Sequence, residues 1–104
     1  MASPSRGEVW LVDLGMVAKV RPCLVLSVPA SLQDRALTTL VIHTTSTRGS
    51  GYEIGAQVRF LKPGAFDTQD LVTVPHAKLI RKLGDLPPDQ LTLVEQSVRR
   101  WLGF

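Results

Sequence analysis

Apolar positions along the chain come in short runs broken by glycine, proline and charge. Val9–Leu14 (VWLVDL) and Cys23–Val28 (CLVLSV) are rich in β-branched, aromatic and aliphatic residues and are too short for core helices. They predict strands over about Glu8–Leu14 and from Pro22 to Val28, joined by a turn over Gly15–Val20. Apolar residues fall on both faces of the first run, as in a small closed barrel or under a covering layer. Thr38–His43 predicts a third strand and Thr44–Gly51 (TTSTRGSG) a polar loop. Tyr52–Phe60 alternates loosely and predicts a strand or hairpin arm, ended by the turn Lys62-Pro63-Gly64. Leu71–Val74 and Ala77–Leu83 complete the strands, with Pro75 at an edge or kink. Ala30–Leu37 has the mixed pattern of a helical turn, and Met1–Ser5 that of a loose tail.

The one helical pattern opens at Pro87-Pro88-Asp89, with proline in the first turn and an acid suited to the helix dipole. Leu91, Val94, Val98, Trp101 and Leu102 then recur at spacings of three and four, so one face packs on the sheet. Gly103 ends the helix. Trp10 and Trp101 are both expected in the core. Without internal repeats, these elements predict one domain over residues 1–104, mainly β with α: a small SH3-like β-barrel with a C-terminal helix packed on it.

Composition narrows the function only a little. The 104 residues are 44% hydrophobic and 20% charged, with a net charge of +3, which suits a globular protein able to meet a polyanion. Basic residues recur at the turns (Lys19, Arg21, Arg48, Arg59, Lys62) and later in the chain (Lys78, Arg81, Lys82, Arg99, Arg100). They fit a solvated surface and a nucleic-acid groove equally well. The single cysteine, Cys23, lies in an apolar run and suits a reducing compartment. No apolar run approaches the ~18 residues of a membrane span, and a signal-peptide core is absent, which points to the cytoplasm.

Two histidines and one cysteine, far apart in sequence, match no zinc spacing. Asp67 and Asp70 read as solvated turn residues, so no metal site is expected. There is no phosphate-binding glycine loop, nucleophile elbow or Cys–His arrangement, which argues against a covalent enzyme intermediate. What remains is Arg21, held extended at a strand entrance by Pro22, together with Thr44. If the second and third strands pair antiparallel, both residues reach the same rim of the sheet. A guanidinium beside a hydroxyl suits a phosphodiester, although an arginine before proline is commonly an ordinary surface residue. His43 should face away from Thr44, in a packing or dimer role.

The segments Gly7-Glu8-Val9-Trp10, Val12-Asp13-Leu14, Arg21-Pro22, Leu24-Val25-Leu26-Ser27, Thr44-Thr45-Ser46 and Leu83-Gly84-Asp85-Leu86-Pro87-Pro88 together resemble the MazF/PemK family of toxin endoribonucleases. The resemblance spans nearly the whole chain. It implies the CcdB/MazF-like form of the barrel, a homodimer and a cognate antitoxin partner. The implied activity is metal-independent, sequence-preferring cleavage of single-stranded RNA (messenger RNA), with no cofactor. The RNA's own 2′-hydroxyl attacks the adjacent phosphorus, leaving a 2′,3′-cyclic phosphate and a 5′-hydroxyl. Arg21 and Thr44 fall on the family's catalytic positions. Lys19, Thr45, Ser46, Arg48 and His76 become candidate substrate-binding residues. The chain departs from the family in its short Gly15–Val20 loop. Two rival readings of the same fold are a CcdB-like, non-enzymatic gyrase poison, suggested by the tail Trp101-Leu102-Gly103-Phe104, and a binding module without activity.

Overall fold

The computed structural model describes residues 4–16 and 19–104. Its elements, in chain order, are β1 (Glu8–Asp13), β2 (Val20–Val25), β3 (Leu37–Thr44), β4 (Glu53–Gly55), β5 (Ala65–Pro75), a 3₁₀ turn (His76–Lys78), β6 (Leu79–Asp85) and α1 (Pro88–Leu102). The strands form one antiparallel six-stranded sheet in the order β4-β5-β3-β2-β1-β6.

Alternation along the strands builds two cores. On one face Val9, Leu24, Val41, Phe66 and Leu86 pack with Val94 of α1, and Leu91 and Val98 flank them. The neighbouring residues Val12, Cys23, Val25, Leu40 and Ile42 point the other way, joining Val74 of β5 and Leu79 of β6. β5 and β6 are separated by three strands in the sheet order, so a cluster containing both requires the sheet to curl over this second face. The curl does not close. β4 and β6 remain unjoined edges, so the expected SH3-like barrel is here an open, coiled sheet.

Several local expectations also change. Only Glu53–Gly55 of the Tyr52–Phe60 run is strand. The rest, with Leu61–Gly64, crosses the helix-side face and packs Val58, Phe60 and Leu61 on the first core. The next strand begins at Ala65, so Asp67 and Asp70 lie within β5 rather than on a turn. They flank the irregularity where the β3 register jumps from Leu71 to Asp67, which absorbs the extra residues. Ala30–Leu37 forms turns instead of a helical turn, because the Asp34 carboxylate takes the Ser31 N–H and hydroxyl in a local loop. β6 starts at Leu79, since the 3₁₀ turn occupies His76–Lys78. Of the expected tail, residues 1–3 lie outside the described residues; Pro4 is fully buried and Ser5 N donates to Glu8 Oε1 at 2.9 Å.

The helix runs as predicted from the Pro87–Pro88 start to a C-cap at Gly103. Trp101 is not core, however: it is 44% exposed and lies edge-on to Tyr52 at 5.4 Å. It falls in the last helical turn, past the contact with the sheet, where Arg100 stacks on the same tyrosine at 4.7 Å. Arg6 fastens the other end of the chain, bonding Glu95 of α1 (Nε–Oε2 2.7 Å) and the Leu26 carbonyl. No described helix is long and apolar enough to cross a membrane.

Candidate active site

β2 and β3 pair antiparallel, with Cys23 against Ile42 and Leu24 against Val41. Continued past its last pair, this register sets Arg21 against Thr44. The ladder begins only at Cys23, one residue after Pro22, which has no N–H to give to it. Beyond that point the rim opens into a pocket of about 440 Å³. Arg21, Thr44, Thr45 and Ser46 all line it.

The arginine is exposed and takes part in none of the ion pairs among the described residues. Its guanidinium is therefore free to receive an anion. Thr44 Oγ1 accepts the Ser46 N–H at 3.0 Å, which folds the start of the polar loop back on itself and fixes the hydroxyl at the rim. Thr45 and Ser46 stand exposed beside it.

Behind the rim, a row of residues crosses three strands in register: Arg81 lies opposite Leu11, and Leu11 opposite Pro22. With His43 they form one wall of the pocket, while Phe60, Leu61 and Lys62 from the crossing loop form the other. Gly84 makes that loop position possible: a Cβ there would sit 2.5 Å from Phe60 Cε2 and 2.6 Å from Cδ2. His43 lies opposite Phe66 and its ring meets the phenylalanine edge-to-face at 5.2 Å. As alternation requires, it faces away from Thr44, yet it still lines the pocket, which extends onto the helix-side face. His43 is buried, its Nε2 has no hydrogen-bond partner among the described residues, and burial lowers the imidazole pKa.

Three residues expected at the site are elsewhere. His76 is nearly buried at the far end of β5, where Nε2 lies 3.2 Å from the Leu37 carbonyl. Lys19 closes the β1–β2 turn with φ 58°, its N–H bonded to Gly15 O and its carbonyl to Leu14 N, and does not line the pocket. Within that loop, positions 17 and 18 lie outside the described residues. Arg48 has its backbone N–H held by the Glu53 carboxylate and also stands outside the pocket. Conversely, Lys62 and Arg81 are pocket cations that the sequence marked only as members of a general basic scatter. The period-two pairing of Arg81 with Leu11 and Pro22 is the signal that finds the second of them.

Burial in the second core pushes the Cys23 thiol up to about 12, so it is inert. Among the described residues no three His, Cys, Asp or Glu side chains gather as a metal site.

This architecture is shared with several solved structures. An endoribonuclease in complex with its cognate antitoxin, from a mycobacterial species, superposes with a TM-score of 0.85 at 24% identity, covering 98% of this chain and 97% of that one. MazE–MazF (Form-II) from Deinococcus radiodurans gives 0.84 at 20% identity, covering 100% and 99%. Toxin MazF-mt6 from Mycobacterium tuberculosis gives 0.81 at 22%, covering 93% and 97%. At these identities the likeness establishes the fold. The match over residues 5–102 to the sequence family establishes more: this chain belongs to the PemK-like, MazF-like toxins of type II toxin–antitoxin systems.

Proposed function

We propose that the chain is a single toxin domain that cleaves single-stranded RNA without a metal ion, acting in the cytoplasm as a homodimer held in check by a cognate antitoxin. The observation that carries this reading is the β2–β3 register, which brings the unpaired Arg21 and the oriented Thr44 hydroxyl to one pocket rim. The solved relatives named as endoribonuclease, and those with an antitoxin bound, support it.

The chemistry follows from what these groups do. The 2′-oxygen of the RNA attacks the adjacent phosphorus, the P–O2′ bond forms and the P–O5′ bond breaks. The 2′-hydroxyl proton leaves and the departing 5′-oxygen gains one, giving a 2′,3′-cyclic phosphate and a 5′-hydroxyl. Negative charge grows on the non-bridging oxygens, where the Arg21 fork donates two hydrogen bonds without losing its charge. Thr44 holds a phosphoryl oxygen or the attacking hydroxyl in line. Because the substrate supplies the nucleophile, the protein needs no activated serine, cysteine or water.

The test is one 2′-deoxy nucleotide at the cleaved position of an otherwise all-RNA strand. Cutting should cease while binding persists, and cleavage of the unmodified strand should continue in EDTA. Cleavage of the deoxy-substituted strand would overturn the mechanism.

A further inference from the structure

The polar loop between β3 and β4, TTSTRGSG, has no apolar side chain to anchor it, yet both its ends are held. At its start Thr44 Oγ1 takes the Ser46 N–H at 3.0 Å. At its end Glu53, the first residue of β4, turns its side chain back onto the loop. Oε1 and Oε2 accept the Arg48 N–H at 3.0 and 2.9 Å, and Oε1 accepts the Ser50 N–H at 2.9 Å. The Gly49 N–H between them converges on the same carboxylate. Gly49 takes φ 79°, the left-handed value that lets successive N–H groups face one anion. Behind this nest, Arg100 of α1 donates to the Gly51 carbonyl at 2.6 Å and ties the base of the loop to the helix. Thr45 and Ser46, which line the pocket, lie between these anchors. So does Arg48, whose exposed side chain joins none of the ion pairs among the described residues.

A carboxylate beside a site for a polyanion repels phosphate unless its charge is used elsewhere. Here backbone donors use it: the Arg48 N–H above all, then those of Ser50 and Gly49, hold the Glu53 carboxyl below the ordinary carboxylate range. Resting on the endoribonuclease reading above, we propose that Glu53 is a positioning residue for RNA binding, whose carboxylate fixes the β3–β4 loop so that Thr45, Ser46 and Arg48 are arranged before the strand arrives. Glu53 itself touches no substrate. Without that staple, a loop of small polar residues and glycine samples many shapes, and RNA has to order it on binding, at a cost in affinity. Arg21 stands on β2, outside the loop, so its action on the phosphate does not pass through the nest.

Glu53→Gln tests this, because charge and positioning give opposite signs. The substitution removes a negative charge near the RNA, and by electrostatics alone binding should tighten. Under the positioning role, the amide NH2 confronts the nest's own N–H donors, the loop loosens and binding weakens. Affinity of the full chain for a strand with a 2′-deoxy sugar at the cleaved position should fall about tenfold. The single-turnover rate at saturating unmodified RNA should stay within about threefold of wild type. Exchange of the Arg48 and Ser50 amide hydrogens should quicken. Gly49→Ala, which strains the nest at unchanged charge, should weaken binding in the same direction. If wild-type protein cuts RNA but Glu53→Gln binds it as tightly or more tightly, or if the loss falls on the saturated rate instead of on affinity, the positioning role is wrong and the nuclease reading stands. If the wild-type protein neither binds nor cuts RNA, both fall.

Discussion

Gly64 lies against the carbonyl of Thr44 so closely that a Cβ on the glycine would overlap the carbonyl oxygen, and it would also sit 3.1 Å from His43 Cε1. The turn that begins β5 is thereby packed directly on the backbone of the candidate site. Gly64→Ala should displace the His43–Thr44 segment, costing about 1–3 kcal/mol of stability and a larger share of RNA cleavage. Thermal unfolding alongside a cleavage assay checks this. A variant of wild-type stability and activity would show that the contact relaxes without consequence.

Arg21→Lys retains charge but loses the planar fork. RNA cleavage should drop ~10²–10³-fold, the usual scale for removing one transition-state donor, while affinity for a 2′-deoxy-substituted strand changes little. Single-turnover kinetics separates the two. Equal cleavage by the lysine variant would remove Arg21 from the chemistry.

Stability should depend on pH through His43. Its folded-state pKa is lowered by burial, so the neutral imidazole is the form the fold accepts. The unfolded chain then binds the proton more readily, and stability present above the ordinary histidine pKa of 6.5 is lost as pH falls below it. The unfolding midpoint should decline between pH 7.5 and 5, before the carboxylates begin to titrate, and His43→Phe should flatten that decline. The same slope in both proteins would assign it elsewhere.

Trp101→Ala should cost about 1–2 kcal/mol, the scale of one half-buried aromatic contact, because the ring touches Tyr52 but remains 44% exposed. Denaturant unfolding measures it. A loss of 4 kcal/mol or more, on the scale of about 3–5 kcal/mol for a core aromatic, would mean that the ring is buried in solution by something further.

Elements with strong local signals were legible in the amino-acid sequence. The runs around Trp10, Leu24 and Val41 are strands because β-branched and aliphatic residues crowd into short segments bounded by turn formers. α1 begins and ends where proline and glycine leave no alternative. The Arg21–Thr44 rim was legible there too, since antiparallel pairing of neighbouring strands puts the start of one beside the end of the next. The family likeness was carried by the same local motifs.

The features that local signals left open are long-range. Whether the sheet closes depends on the curl accumulated over six strands, which no single strand encodes, and here it stays open. The fate of Tyr52–Phe60 depended on Gly84, some twenty-five residues later, leaving room for the Phe60 ring. His76, polar and near a strand end, reads as a site residue until β5 carries it to the opposite end from Thr44. His43 reads as packing until the crossing loop makes a pocket on its face. Period-two alternation says which side of a strand a residue takes, but what else occupies that side is settled by contacts between segments far apart in the chain.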